Sequence, residues 1–449
     1  MNTMCLNYCV ALFAAICAVL VLSRRPLVSS VRSAIKAGSG LMLVLVLDRF
    51  FTSQVQQALS ALQHKGVGHF AAVELGGSSC VALGMVSVIG LAIVPLCCFV
   101  NWLMYRIHLT DCINIDIFNL HQNAAMGVII WTFSGSLVSG FLAAVLLHIW
   151  ALIMADVGAK RTQHYFSLEE HVTITHPIAN SYLLFAYPID WLLEHIPFVR
   201  RVSFDTTKVQ RRLGLLGESM IVGFLEGLLL GLAAWGISGA VQSVGLGLCV
   251  AAAMYLIPKA ASLYTEGLHH IAGIVKKHML VKDTSRHMLV GLDASLAVGD
   301  SGVSAVALLL VPTMVLLSVI LPGNTVLPML DLLNVCFYIA CMLPVFRGNV
   351  FRAWVGSTLC LGSGLWIASY LAPATTLAYE KLGVSSLPGL FIADFDPAGT
   401  PFAFLFAVAS KIGFSGLLLI ALGMLILAQV LMLRKRREQK TVDARREPK

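Results

Sequence analysis

Charge is scarce in this chain of 449 residues: Asp, Glu, Lys and Arg together make up 12%, about half the share of a soluble domain. A large water-soluble helical fold is thereby excluded, because its helices would need long polar faces that are missing here. The phosphate loop G-x-x-x-x-G-K-[ST], the nucleophile elbow G-x-S-x-G and the metal pair H-E-x-x-H are absent. Nucleotide hydrolysis, serine hydrolysis and zinc proteolysis go with them. The 11 cysteines include no C-x-x-C pair, and most lie inside apolar runs such as "LCCFV" and "CFYIAC". There Cys serves as a small hydrophobe, so no metal and no cofactor is expected. No basic stretch interleaved with aromatics stands outside the apolar runs, which excludes nucleic acid as a partner.

What is there is apolar. Mean hydropathy is +0.84 and 58% of residues are hydrophobic. Runs of about twenty such residues recur along the chain, the length that crosses a bilayer as helix. The spacing predicts spans near 5–22, 38–50, 80–104, 124–155, 219–240, 243–263, 302–321, 327–345, 353–373 and 411–434. The first run lacks a basic approach and a small-residue cleavage site, and is read as a retained helix. The net charge of +8 comes largely from short clusters between runs, "SRRP", "VRRVSFDTTKVQRR", "IVKKHMLVKDTSRH" and "RGNVFR", and from the tail after residue 434. By the positive-inside rule these face the cytoplasm. The expected organisation is a membrane-embedded unit over 1–434 and a basic cytoplasmic tail over 435–449.

Two stretches fit neither an ordinary loop nor a full span. "SLEEHVTITHPIANSYLLFAYPIDWLLEHIPF" (167–198) starts polar and its apolar part is cut by Pro188; "LVGLDASLAVGDSG" (289–302) is a short half-apolar segment ahead of a complete helix. One lies in each half of the chain. Paired broken segments point to inverted repeats with a binding site near the midplane; cytoplasmic loops with amphipathic flanks are the plainer reading. Ionisable residues at membrane depth are costly and mostly functional, which singles out Glu74, Asp116, His121, His176, Glu226, Asp293, Asp300 and Asp331. Asp116 and Asp331 also suit helix caps, Glu74 an interfacial turn, and Glu226 a contact between helices. Asp293 and Asp300 are seven apart and would look into one cavity if the residues between are helical. A carboxylate there accepts hydroxyl hydrogen bonds and can take the proton of an attacking hydroxyl.

The blocks "INIDIFN" (113–119), "FSLEEHVTITHPIANSY" (166–182), "EHIPFVRRVSF" (194–204), "LLGESMIVGFLEGLLLG" (215–231), "GLDASLAVGDSG" (291–302), "PGNTVLPMLDL" (322–332), "RGNVFR" (347–352) and "FDPAGTPF" (395–402) resemble, in order and spacing, the membrane permease component IIC of the galactitol type in the bacterial phosphotransferase system. The resemblance covers nearly the whole chain. It implies an all-α polytopic fold with inverted repeats, two re-entrant hairpins at about 167–198 and 288–302, and a scaffold that dimerises around an elevator-type transport core. It also implies a sugar or sugar-alcohol substrate in the inner membrane, with phosphate supplied by separate cytosolic IIB and IIA subunits and carried by IIB on a cysteine. Substrate contacts are expected from Glu74, Ser78, Ser79, His121, Gln122, His176, Asn180, Asp293, Asp300 and Asn324, with Asp300 and His176 as the catalytic pair. Four departures from the family pattern cluster at those positions. "ELGGSS" lacks Trp-Pro, "THPIA" replaces Pro-His-Gly, "NLHQ" puts Gln122 where His is usual, and Asp300 stands at a position often His. They point to a different polyol or pentitol, or to a divergent transporter. An ion-driven transporter of the same fold, or a subunit that senses a polyol without moving it, are the competing readings.

Overall fold

The computed structural model describes residues 3–24, 26–65, 70–279, 288–385, 387 and 389–446. The first half runs α1 (Thr3–Leu22), α2 (Leu27–His64), β1 (Ala72–Glu74), α3 (Gly77–Met85), α4 (Val88–Arg106), β2 (Cys112–Asn114), α5 (Ile117–Ser134), α6 (Leu137–Phe166), β3 (Val172–Ile174) and α7 (Pro177–His195). Two short helices, α8 (Pro197–Arg201) and α9 (Thr206–Leu213), lead to α10 (Ser219–Trp235) and α11 (Ala240–Met279). The rest is β4 (Leu289–Leu292), α12 (Ser295–Val298), α13 (Ser301–Ile320), β5 (Val326–Leu327), α14 (Val335–Ile339), α15 (Val350–Lys381), β6 (Phe391–Ala393), α16 (Pro401–Ser410) and α17 (Phe414–Arg446). Seven helices among the described residues are long and apolar enough to cross a membrane, or eight if a bent pair over 206–235 counts as one span.

Several expected spans change shape for local reasons. The run 80–104 is two helices, because Ser87 leaves helical geometry and caps α4 by accepting the Gly90 amide at 2.9 Å. The run 124–155 breaks at Gly135, whose φ of 72° ends α5 in the left-handed region. The expected span 327–345 is not one: it is β5, a 3-10 turn at Leu330–Leu333 and the five-residue α14. Pro328 supplies no amide there, and Asp331 binds the backbone of other segments. α2 and α15 are longer than expected, α16 was not anticipated, and α17 carries the helix into the basic tail.

The short strands form two parallel three-stranded sheets, ordered β5-β1-β6 and β2-β4-β3. Val73 pairs with Leu327 and Ile392, while Val290 pairs with Ile113 and Val172. Exchanging β1 with β4, β2 with β5 and β3 with β6 turns one order into the other. Each sheet therefore takes its middle strand from one half of the chain and both edges from the other. Each strand leads by a tight turn into a helix or helical turn.

α1, α2, α10 and α11 pack into one group, the remaining long helices around the two sheets into another. In α10, Gly223, Gly227 and Gly231 recur every four residues. A Cβ on any of them would stand 3.0 Å or less from α11 atoms of Ala251, Leu246 or Ser243. Such a small-residue stripe lets two membrane helices approach closely. The same contacts fix direction: α10 and α11 are antiparallel, and Lys36 pairs with Glu266 at 2.8 Å, so the starts of α2 and α10 and the end of α11 share one end of the molecule. Several polar contacts between described residues join the two groups. Ser79 donates to Asp48 at 2.5 Å, Tyr264 meets His121 at 3.4 Å, and Arg49 donates to the carbonyls of Val384, at 2.8 Å, and Gly383.

Candidate functional site

The turns that leave the strands meet around a cavity of about 480 Å³, within the range of small-molecule sites. Gly77 and Ser78 come from the β1 exit; Asp116, Phe118, Asn119 and Gln122 follow β2. His176 follows β3, and Asp293 and Ser295 follow β4. Asn334, Phe337 and Tyr338 follow β5, and Asp396 follows β6. α11 closes the side with Pro258, Ala261, Ser262 and Thr265. Gln122, His176, Asn119, Tyr338 and Asp396 are buried, whereas Ser262, Thr265 and Ser295 are exposed. The mouth therefore lies toward the second half of α11, the end at which α2 and α10 begin.

Three acidic side chains line the cavity, and no Lys or Arg is among the lining residues. Asp116 caps α5 by accepting the Phe118 and Asn119 amides at 3.1 and 3.3 Å. Its other oxygen takes the Asn119 side-chain amide at 2.6 Å, and the same amide reaches Asp293 at 3.0 Å. Asn119 thus bridges two acids from different strands of one sheet. Asp116 stands on a turn outside the long spanning helices. Burial, with the Asp293 charge adding to it, lifts its carboxyl to about 8. Across the cavity, Gln122 donates to Asp396 at 2.8 Å and lies 3.5 Å from His176 Nε2. His176 Nδ1 accepts the Ala179 amide at 3.3 Å, so its proton sits on Nε2, the nitrogen toward Gln122. Asn119 Oδ1, Gln122 Oε1 and Asp396 Oδ1 are buried without a hydrogen-bond partner among the described residues. Orphaned acceptors of this kind are filled by a ligand or by water.

Of the residues expected from the sequence, Ser78, Asp116, Gln122, His176 and Asp293 line the cavity. Asp293 also fixes its own turn by accepting the Ser295 amide at 3.1 Å. The others lie elsewhere. Asp300 caps α13 through the Gly302 and Val303 amides at 2.9 and 3.0 Å, with the Tyr165 hydroxyl at 3.4 Å, outside the cavity. It does so because the residues between the two aspartates hold only the four-residue α12, so the pair does not share a helix face. Asn180 donates to the carbonyls of Ala151 and Ile174, and Asn324 to those of Ser318 and Val326. His121 turns to the other side of α5, against the Ile117 carbonyl and Tyr264. Ser79 sits behind the wall on Asp48, and Glu74 is enclosed by backbone amides of Met329 and Asp331. Glu226 on α10 lies away from the cavity, its oxygens without a hydrogen-bond partner among the described residues. The lysines at 276 and 277, in a cluster expected to face the cytoplasm, have side chains outside the described residues. The sequence reading passed over Asn119, Ser262, Thr265, Asn334, Tyr338 and Asp396 as site residues. Asp396 was signalled by the acid before proline in "FDPAGTPF", which mirrors the His-Pro of "THPIA".

The PTS system galactitol-specific EIIC component of Escherichia coli (strain K12) is 29% identical over 369 residues, 82% of this chain and 80% of that protein. A putative permease IIC component of the same strain is 32% identical over 363 residues, covering 81% and 82%. The family model for the PTS system sugar-specific permease component, EIIC-GAT, matches residues 8–388, and the chain belongs to that family.

Proposed function

We propose that this chain is a sugar-alcohol permease of the phosphotransferase system, binding a neutral galactitol-like polyol in the cavity between the two sheets. One observation carries the reading. A lining with three acidic side chains, amide oxygens, a donating histidine and no cation suits a ligand that offers many hydroxyl hydrogens and no negative charge. Sugar acids and already phosphorylated sugars are disfavoured by the same field.

The chemistry follows from who can accept a proton. With Nδ1 occupied, His176 donates from Nε2 and holds a substrate oxygen. Asp293 is the acceptor placed for a substrate hydroxyl. A separate IIB subunit would present phosphate on a cysteine at the mouth. The hydroxyl oxygen bonds to phosphorus, the sulfur–phosphorus bond breaks, the sulfur leaves as thiolate and the hydroxyl proton passes to Asp293. Exposed Arg200, Arg201, Arg211 and Arg212 near the start of α10 give the potential that steers such a partner. The strand exchange supports an inverted repeat. The seam between the two helix groups supports a transport core moving against a dimeric scaffold in the inner membrane, with the C-terminus cytoplasmic and the present form open inward.

Uptake of labelled galactitol into cells with and without the phosphate relay tests this directly. Accumulation as the phosphate ester that stops when the relay is removed is the expected result. Uptake that persists without the relay favours an ion-driven carrier, and binding in reconstituted vesicles without uptake favours a sensor.

A further inference from the structure

We infer that Asp331 is the positioning residue of the cavity: it touches no substrate, yet holds three separate stretches of the cavity wall in register. The inference rests on the cavity being the substrate site. Asp331 is 2% exposed and does not line the cavity. Its Oδ1 accepts the Gly77 amide at 2.8 Å, the Asn334 side-chain amide at 2.8 Å and the Tyr338 hydroxyl at 2.6 Å. Its Oδ2 accepts the Phe395 amide at 3.1 Å. Gly77, Asn334, Tyr338 and Asp396, the neighbour of Phe395, all line the cavity. They come from the exits of three strands of one sheet, and one carboxylate ties them together. Its own amide is held in turn by Glu74 at 2.8 Å.

The cluster of Glu74, Asp331 and Asp394, with oxygens within 4.8 Å of one another, has the spacing of a metal site but not its character. The oxygens of Glu74 and Asp331 already face N–H and O–H donors, whose positive ends would repel a cation. The oxygens are spent on hydrogen bonds to the chain itself, which makes geometry the product of the cluster. The wall it holds is tight: a Cβ on Gly77 would stand 2.4 Å from Asp396 Oδ2, so a small shift of either turn moves the other.

Asp116-Ile-Phe-Asn119 after β2 and Asp331-Leu-Leu-Asn334 after β5 share one spacing, on strands that the exchange of halves makes equivalent. In each, the asparagine donates back to its aspartate, at 2.6 and 2.8 Å. The first aspartate opens onto the cavity; the second is withdrawn and saturated. One copy of the turn meets the ligand and the other sets the wall opposite.

Asp331→Asn tests this, because the new amide can still accept at one oxygen but opposes the Phe395 N–H with another N–H. In galactitol uptake the KM should rise by about tenfold or more, with discrimination among galactitol, mannitol and glucitol flattened and the saturated rate and protein yield within about twofold of the parent. Asp331→Glu, which keeps the charge and displaces it, is read in the same way should the asparagine variant not accumulate. Parent-like KM and selectivity in whichever variant folds overturns the inference. A readout without ligand separates the two levels of the argument: maleimide labelling of Ser78→Cys should change rate by about fivefold when Asp331→Asn is added. An unchanged labelling rate sinks the positioning role. A parent that takes up none of the three hexitols sinks the polyol reading while labelling still decides the fate of Asp331.

Discussion

The sequence places Asp293 and Asp300 on one cavity with Asp300 as the catalytic member, and the structure gives them separate places. Asp293 stands on the cavity, so Asp293→Asn should weaken polyol binding by about ten- to a hundredfold, the worth of about 1.5–3 kcal/mol for a hydrogen bond to a charge. Titration of the purified protein with galactitol measures it. Asp300 caps α13, so Asp300→Ala should lower the melting temperature, by about 1 kcal/mol in stability, and leave the dissociation constant alone. Asp116 makes a prediction in pH. Its carboxyl is raised to about 8, so the folded state binds a proton that the unfolded chain gives up near pH 4. The stability from that proton is complete below about pH 4 and is lost as pH rises toward 8. Melting temperature should therefore fall across that window, and Asp116→Asn should flatten the slope. His176 and Asp293 were legible because costly polar groups stood in apolar surroundings. Asp396 left a weaker mark, the acid before proline, because its main partner Gln122 is 274 positions away.

At the scale of elements, hydropathy locates apolar mass but not where the backbone stops being helical. The divisions at Ser87 and Gly135 are set by a cap and by a left-handed residue, each one position in a long apolar run. The strands escaped notice because two to four residues are too few for a period to show. Pro188 marked a break for the sequence reading, yet α7 continues through it. One tie between elements could not be read at all: Arg352 on α15 meets Asp190 on α7 at 3.1 Å, both side chains 7% exposed, and its guanidinium also donates to the Phe346 carbonyl. Removing one partner of a buried pair leaves an unbalanced charge and costs about 3–5 kcal/mol. Arg352→Met should thus sharply reduce folded protein in membranes, and Asp190→Asn together with Arg352→Met should recover part of it. Equal loss in the single and double variants would show that the pair is not coupled.

For the molecule as a whole, the proposed transport motion would run along the seam between the two helix groups, and Asp48 with Ser79 is one of the polar contacts that cross it. Cysteines at both positions, oxidised to a disulfide, should abolish uptake while leaving galactitol binding intact, and reduction should restore it. Uptake that survives the cross-link would place the moving boundary elsewhere. The sheets carry a different consequence, for how the chain is made. Neither sheet can close from one half, since β1 finds both its neighbours more than 250 positions later and β4 finds both of its own already translated. The ribosome has therefore released most of the protein before β1 acquires an edge, and the acids beside it must wait in the membrane without their amide donors. The first half expressed alone should be short-lived in the cell, whereas two halves made as separate chains, cut between α11 and β4, should find each other and transport.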